Sequence, residues 1–192
     1  MRNDASAAAR AVLELAEQRT PTLGTTRLVC VDGPAGSGKS TLAGAMGQQA
    51  TAPVLHTDDL LAGWDGLPGL PGTLEELLEP LARGRSGHAR LYDWHAGRFT
   101  DEVPVDPVPL LVLEGVGAGS LPAARRATVL VWVEAPYDLR MRRGLERDGE
   151  AFAPHWAAWA GAEEELFAEH RTRERADLVV DGTGRRPPRV TR

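Results

Sequence analysis

The sequence predicts an α/β fold in which a parallel sheet is covered by helices on both faces. Short runs rich in valine and leucine alternate along the chain with helical patterns, as is typical of a buried parallel sheet. The most conspicuous polar residues directly follow the predicted strands, at the sheet edge where such folds bind their ligands. An antiparallel sandwich would instead show strand after strand without intervening helices.

Composition and charge indicate a globular protein. Of the 192 residues, 42% are hydrophobic and 26% are charged, which suits one domain over residues 1–192 with a substantial core. The 22 basic and 27 acidic residues give a net charge of -5, which predicts no general attraction to nucleic acid or to an anionic membrane. No apolar run approaches a membrane span, no signal-peptide core is visible, and the single Cys30 cannot form an internal disulfide. We therefore expect a cytoplasmic protein, and a homo-oligomer is compatible with the sequence.

The first predicted elements are a helix, a strand and a second helix. Apolar residues recur at helical spacing over residues 5–19 and predict an amphipathic helix that ends before Pro21, within an N-terminal segment 1–24. The run "RLVCV" at 27–31 predicts a short buried strand, and residues 39–49 predict the next helix. A glycine-rich loop joins these two elements.

A second strand, a loop and a third helix follow. The segment "APVLHT" at 52–57 predicts a strand, and the repeated glycine and proline of "GWDGLPGLPG" at 63–72 predict a loop. The segment "TLEELLEPLARG" at 73–84 predicts a helix, with Thr73 as its N-cap and Glu76 as the capping-box partner.

The second half of the chain predicts three more strands and further helices. A proline-rich connector at 103–109 leads into the strand "LLVLE" at 110–114, which is followed by the strand "ATVLVWVEA" at 127–135. After these come the helix "YDLRMRRGLERD" at 137–148, two helical stretches between 151 and 176, and the strand "DLVVDG" at 177–182. Trp156, Trp159 and Phe167 recur near helical spacing and predict that one of those stretches packs against the core.

Residues 33–40, "GPAGSGKS", match the pattern G-x-x-x-x-G-K-[ST] in full, between a predicted strand and a predicted helix. Glycines allow backbone N–H groups to turn inward, and the helix N-terminus points its dipole at the same space. Lys39 can neutralise the β and γ phosphates of ATP, and the Ser40 hydroxyl can ligate Mg²⁺. The alternative is a glycine turn with an unrelated exposed lysine, but the complete match in its expected context favours a phosphate site. The predicted ATP-binding residues are Gly33, Ala35, Gly36, Ser37, Gly38, Lys39, Ser40 and Thr41.

Two carboxylates follow predicted strands beside this loop. Asp58 could orient an acceptor hydroxyl or take its proton during phosphoryl transfer, or it could cap the following turn together with Asp59. Glu114 could hold a magnesium-bound water or an acceptor hydroxyl, or it could form a salt bridge at the sheet edge. We predict Ser40 and Glu114 as the metal-binding residues and Asp58 as catalytic.

Three arginines in the helix 137–148 share one face. Arg140, Arg143 and Arg147 are spaced i, i+3 and i+7, so together they can grip phosphate oxygens and neutralise the charge that develops during transfer. This pattern predicts a helical lid and following helices, about residues 136–176, as a mobile subregion, with Arg143 and Arg147 as catalytic residues. The alternative is a solvated face paired with nearby acidic residues, Glu146, Asp148 and Glu150.

Several separated segments resemble the uridine kinase-like family of P-loop nucleoside kinases, over about residues 27–182. They are "GPAGSGKST", similar to the family's phosphate loop; "HTDDL", similar to its strand-end motif; "LYDWHAGR", similar to its acceptor-pocket segment; "VLEG", similar to its third-strand motif; "LRMRRGLERD", similar to its lid helix; and "ADLVVDG", similar to its final strand. The resemblance places Asp58 at the family's acceptor-activating aspartate, Glu114 in its third-strand motif, and Arg143 and Arg147 in its lid helix.

The resemblance implies a three-layer P-loop NTPase fold, with five parallel strands in the order 2-3-1-4-5, and phosphorylation of a small hydroxyl acceptor with ATP and Mg²⁺. It also places Tyr92, Asp93, Trp94, His95 and Arg98 in the acceptor pocket. On chemical grounds the aromatic pair can stack on a base, while the charged side chains can bind polar edges. The alternative for this group is a buried aromatic cluster with a surface ion pair.

The sequence thus predicts a small-molecule kinase whose first acceptor to test is a nucleoside, with a sugar alcohol or an antibiotic-like alcohol also open. A nucleoside-monophosphate kinase is the second interpretation, because basic residues that could bind a phosphorylated acceptor are present at Arg83, Arg85, Arg90 and Arg98. A nucleotide-binding regulatory module with little phosphotransfer is the third.

Overall fold

A computed structural model describes residues 2–149 and 154–191 of the protein. The helices within these residues are α1 (Arg2–Gln18), α2 (Lys39–Ala50), α3 (Leu70–Ala82), α4 (Leu121–Ala124), α5 (Tyr137–Asp148), α6 (Trp156–His170) and α7 (Thr172–Arg175). The strands are β1 (Arg27–Asp32), β2 (Val54–His56), β3 (Gly87–Asp93), β4 (Arg98–Val105), β5 (Leu110–Glu114), β6 (Val129–Glu134), β7 (Leu178–Asp181) and β8 (Arg189–Val190).

The central sheet has six strands in the order β2-β5-β1-β6-β7-β8. The first five are parallel, and they are the five strands that the sequence predicts, in the implied order 2-3-1-4-5. The expected count was wrong by one, because β8 pairs antiparallel with β7 at the edge. This strand is two residues long and exposed in a segment rich in arginine and proline, so it leaves no hydrophobic pattern in the sequence.

Helices cover both faces of this sheet, which confirms the predicted α/β class. Successive residues of a strand point to opposite faces, and Cys30 accordingly packs in the core layer formed with α3 and α6, while Val29 and Val31 pack in the layer formed with α1 and α2. The predicted N-terminal helix is present as α1, and its apolar side is buried in the second layer. In the described part of the chain, no helix is long and apolar enough to cross a membrane.

A two-stranded antiparallel hairpin, β3–β4, lies outside the central sheet and was not predicted. The last three residues of β4, 103–105, fall in the segment predicted as a proline-rich connector, where Pro104 pairs opposite His88. Most side chains of β4 are exposed or half-buried, so the strand lacks the apolar alternation that marks a half-buried strand in a sequence.

Helix α3 begins three residues earlier than predicted. Leu67–Gly69 forms a 3₁₀ turn and α3 starts at Leu70, so the second half of the predicted loop is helical and Thr73 is not the N-cap. Pro71 suits the first turn of a helix, where its missing N–H has no partner to lose. The burial of Leu67 and Leu70 in the core outweighs the local preference of the glycines for a loop.

Candidate active site

The glycine-rich loop between β1 and α2 has a backbone that only glycine tolerates. Gly33, Gly36 and Gly38 have φ angles of 141°, 73° and 107°, in the left-handed region. A Cβ atom at Gly33 would lie 2.1 Å from the Val133 carbonyl oxygen, and one at Gly36 would lie 2.3 Å from the Arg140 carbonyl oxygen. The loop is therefore held against the end of β6 on one side and against α5 on the other.

The start of helix α2 carries positive charge that no protein side chain neutralises at its cap or in its first turn. No side chain caps the helix at Gly38, and its first turn contains no acidic residue. Uncapped N–H groups at a helix N-terminus carry partial positive charge. Lys39 adds a full positive charge there: its side chain is only 7% exposed, and its Nζ donates to the Pro34 carbonyl oxygen at 3.1 Å. The features fit the phosphate site that the sequence predicts.

Asp32, at the end of β1, is fully buried beneath this loop. Its carboxylate accepts three backbone N–H bonds, from Gly33 at 2.7 Å, Gly117 at 2.9 Å and Gly119 at 2.8 Å. Burial raises the pKa of Asp32 to about 6, although the three hydrogen bonds and the nearby charge of Lys39 oppose the rise. Asp32 thus ties the phosphate loop to the segment that follows β5.

The shifted pKa of Asp32 predicts a pH-dependent stability. Because its folded pKa, about 6, lies above the unfolded value of 3.8, the unfolded chain holds fewer protons between these values. Stability therefore falls as pH rises from about 4 to about 6, by roughly 3 kcal/mol from this group. Denaturant titrations measure the free energy of unfolding at each pH. We expect its decrease between pH 4 and pH 6 to be smaller by roughly 3 kcal/mol in Asp32→Asn than in the unaltered protein, whatever the variant's absolute stability. Parallel curves for the two proteins would contradict the assignment.

Glu114 and His56 end the neighbouring strands β5 and β2, opposite each other in the sheet register. The Glu114 Oε1 atom lies 2.5 Å from His56 Nδ1. The other oxygen, Oε2, is buried and has no hydrogen-bond partner, and Glu114 lines the cavity beside the phosphate loop. The salt-bridge position considered from the sequence is thus occupied by a hydrogen bond to His56, which engages only one of the two Glu114 oxygens.

Asp58 lies in a 3₁₀ turn, Thr57–Leu60, directly after β2. Thr57 fixes this turn, because its hydroxyl donates to the Val116 carbonyl oxygen at 3.1 Å. The Asp58 carbonyl oxygen accepts a hydrogen bond from Trp94 Nε1 at 3.1 Å. Asp58 and Asp59 both line the cavity.

Three tryptophans, Trp64, Trp94 and Trp159, line the same cavity, and we call them the indole wall. The Trp64 ring stacks on His155 with centroids 4.6 Å apart and an interplanar angle of 7°. Trp94 and Trp159 contact Trp64 edge-on, at 5.0 Å and 5.9 Å between centroids. Trp94 remains 37% exposed, so part of the wall is open to solvent.

Two arginines of α5 contact the backbone of the phosphate loop. Arg143 Nη1 donates to the Gly36 and Ser37 carbonyl oxygens at 3.3 Å and 3.4 Å, and its Nη2 donates to the Gly182 carbonyl oxygen at 3.0 Å. Arg140 Nη1 donates to the Ala35 carbonyl oxygen at 3.3 Å. Arg143 and Arg147 also line the cavity, whereas Arg140 does not. Arg140 and Arg143 therefore brace the loop and do not form a solvated face.

One cavity of about 760 Å³ brings most of the predicted site residues together. The predicted residues that line it are Ala35, Gly36, Gly38, Lys39, Ser40, Thr41, Asp58, Trp94, His95, Glu114, Arg143 and Arg147. Those that do not line it are Gly33, Ser37, Tyr92, Asp93 and Arg98.

Tyr92, Asp93 and Arg98 instead build the end of the hairpin that carries Trp94 and His95. The Tyr92 ring packs edge-on against Trp94, 5.5 Å between centroids. The Asp93 carboxylate accepts the N–H groups of His95 and Ala96 at 2.8 Å and 2.9 Å, bonds that hold the pKa of this carboxyl below its usual range. Arg98 is paired opposite Asp93 in the hairpin register.

The metal prediction rests on few protein ligands. Within residues 2–149 and 154–191, no group of three or more His, Cys, Asp or Glu side chains could hold a metal ion by itself. Ser40 and Glu114 nevertheless line the same cavity as the phosphate loop, and Glu114 Oε2 is buried without a hydrogen-bond partner. This donor set fits Mg²⁺ that keeps several waters and is held largely by nucleotide phosphates.

The chain shares its fold with two solved structures whose names describe kinases. A possible uridine kinase from Bacillus stearothermophilus shares this fold with a TM-score of 0.57 and 19% identity, over 81% of this chain and 89% of that one. A candidate fructose transport system kinase from a Silicibacter species shares it with a TM-score of 0.55 and 23% identity, over 92% and 97% of the two chains. No protein-family model matches the chain, and no curated protein is significantly similar to it in sequence. The likeness to the two kinases is therefore one of fold.

Proposed function

We propose that the protein is an ATP-dependent small-molecule kinase that transfers the γ-phosphoryl group to a hydroxyl, with a nucleoside as the first acceptor to test. The observation that supports this most strongly is that Lys39, at the start of α2, and Asp58 line the same cavity. Phosphoryl transfer needs charge neutralisation at the phosphates and a group that orients the attacking hydroxyl, and these residues are of the required types. The names of both structural neighbours describe kinases.

Each residue has a separate part in this proposal. Lys39 neutralises the β and γ phosphates, Asp58 orients the acceptor hydroxyl and takes its proton, and Arg143 and Arg147 stabilise the transferring group as a lid over it. Mg²⁺ supplies further neutralisation of the phosphate charge when it is bound, and Ser40 and Glu114 would hold it.

The indole wall supports an acceptor with a flat face. Aromatic rings bind planar or apolar groups by stacking, and Trp94 presents such a ring to the cavity. Trp64 and Trp159 extend this surface. A nucleoside, which combines a planar base with sugar hydroxyls, matches both the wall and Asp58.

The nucleoside-monophosphate alternative finds less support. It relies on Arg83, Arg85, Arg90 and Arg98 to bind the acceptor phosphate, but none of them lines the cavity. Arg83 pairs with Glu79 at 2.5 Å, and the Arg90 guanidinium lies over the Phe99 ring at 4.6 Å.

A coupled ADP-release screen tests the proposal. We expect at least one member of a panel of nucleosides, sugars and aminoglycoside-like alcohols to raise ADP release by at least about tenfold over Lys39→Met, the inactive reference. Nucleoside monophosphates belong in the same panel, and a preference for them would favour the alternative above. If no compound raises ADP release, a nucleotide-binding regulatory module becomes the better description.

A further inference from the structure

Glu163 is a buried carboxylate of helix α6 that contacts the phosphate loop from outside the cavity. Its side chain is 3% exposed, and it does not line the cavity. Its Oε1 atom accepts the Ala35 N–H at 2.7 Å and the Trp159 Nε1–H at 2.7 Å. Its Oε2 atom lies 3.8 Å from Arg140 Nη1. Burial raises the pKa of this carboxyl, although the neighbouring cations and N–H donors oppose the rise.

These contacts join two parts of the cavity that the proposed reaction must hold at a fixed separation. Ala35 lies in the phosphate loop, and Trp159 belongs to the indole wall. Trp159 contacts Trp64, the tryptophan at the centre of that wall. A single carboxylate oxygen therefore connects the loop backbone to the acceptor side through two hydrogen bonds.

Packing alone does not account for a carboxylate at this position. An apolar side chain would suit the buried face of α6, which also carries Trp159 and Leu166. It would, however, leave the Ala35 N–H and the Trp159 indole N–H without their present partner, and an unpaired buried donor destabilises the fold. Arg140 links the same carboxylate to α5, and its guanidinium also donates to the Ala35 carbonyl oxygen of the loop.

We propose that Glu163 is a positioning residue that couples the phosphate loop to the indole wall, so that nucleotide binding at the loop is transmitted to Trp159 and Trp64. The effect on phosphoryl transfer rests on the proposed function, whereas the coupling itself does not. A misplacement of about 1 Å in a reacting pair can cost on the order of 100-fold in rate, so loss of this link should be measurable.

The coupling can be measured without any acceptor. A non-hydrolysable ATP analogue with Mg²⁺ is titrated into the protein, its binding is followed by equilibrium dialysis, and the change in tryptophan fluorescence is recorded in parallel. We expect a fluorescence change in the unaltered protein and in the matched control Glu164→Gln, an exposed neighbour on the same helix. Glu163→Ala should lose most of that change at saturating analogue. Glu163→Gln should keep part of it, because an amide oxygen can still accept both N–H bonds.

Kinetics with an acceptor from the screen supply the second measurement. We expect Glu163→Ala to lower kcat/KM by about 10- to 100-fold, mainly through a higher KM for the acceptor. Trp159→Phe keeps a ring against Trp64 but removes the indole N–H, so this variant should also have a higher acceptor KM. The kcat/KM of Glu163→Gln should lie between those of Glu163→Ala and the unaltered protein.

The outcomes separate this inference from the proposed function. A folded Glu163→Ala whose fluorescence change and acceptor KM match those of Glu164→Gln overturns the inference and leaves the kinase proposal intact. An unaltered protein whose fluorescence does not respond to bound analogue also overturns it. A Glu163-dependent response in a protein that phosphorylates no acceptor supports the coupling and ends the kinase proposal. If Glu163→Ala does not fold, unchanged acceptor KM values in both Glu163→Gln and Trp159→Phe overturn the inference.

Discussion

Asp58→Asn should lower kcat for acceptor phosphorylation by about 10²- to 10⁴-fold, the usual contribution of a positioned general base. Asparagine has nearly the same shape and can still accept a hydrogen bond, but it cannot take a proton from the attacking hydroxyl. Asp58 lines the cavity but belongs to neither the phosphate loop nor α2, so we expect the affinity for ATP to change by no more than about threefold.

The surroundings of Asp58 make this substitution easy to interpret. Trp94 donates its hydrogen bond to the backbone carbonyl oxygen of Asp58, which asparagine retains. The turn itself is held by the hydrogen bond from the Thr57 hydroxyl to Val116, which the substitution does not touch. Asp59→Asn is the matched control, because Asp59 lies in the same turn and lines the same cavity. Nucleotide affinity is measured by calorimetry and kcat by ADP release. If both variants keep kcat within about threefold of the unaltered protein, Asp58 is not the base, which is the behaviour expected of a monophosphate kinase.

The parallel sheet was predictable because its determinants are local. Each central strand is a short apolar run bounded by turn residues, and the phosphate loop occupies eight consecutive positions, 33–40, whose glycines are required by the backbone. The hairpin and the start of α3 were not predictable in this way. Strand β4 of the hairpin is exposed or half-buried along its whole length and leaves no apolar alternation, whereas at Leu67 and Leu70 burial against other elements overrides a sequence typical of a loop.

The residues of the candidate site likewise include some that the sequence predicts and some that it does not. Asp58 and Glu114 could be found because parallel strands end at one edge of the sheet, which brings residues distant in sequence together. Glu163 and His155 could not be found, because their contacts form only when α6 packs beside the phosphate loop and the indole wall. In the sequence, Trp159 indicates a packed helix, and it is indeed buried in the core while also lining the cavity. Because the helical spacing of Trp159 is explained by its burial in the core, the sequence gives no further indication that it also lines the cavity.

Lys39→Met should lower kcat by at least about 10²- to 10³-fold and weaken the binding of ATP with Mg²⁺. Lys39 is buried at the first turn of α2, and methionine fills nearly the same volume without the charge, so a loss of activity with a retained fold would isolate the electrostatic contribution. We expect Lys39→Arg to recover part of the nucleotide affinity but little of kcat, because a guanidinium is larger and has a different geometry from an ammonium group.

The composition of the chain allows this lysine to be observed directly. Lys39 is the single lysine of the sequence, and the other basic side chains among its 22 Lys and Arg residues are arginines. Reductive methylation should therefore modify Lys39 and the amino terminus, and mass spectrometry of the peptides distinguishes the two.

If Lys39 binds the β and γ phosphates, ATP with Mg²⁺ should slow its methylation by about tenfold or more while the amino terminus reacts at an unchanged rate. AMP lacks those phosphates and should protect far less. Equal protection by AMP and ATP, or methylation of Lys39 unaffected by either, would show that this side chain does not contact the transferable phosphates, and the role proposed for Lys39 in phosphoryl transfer would then fail.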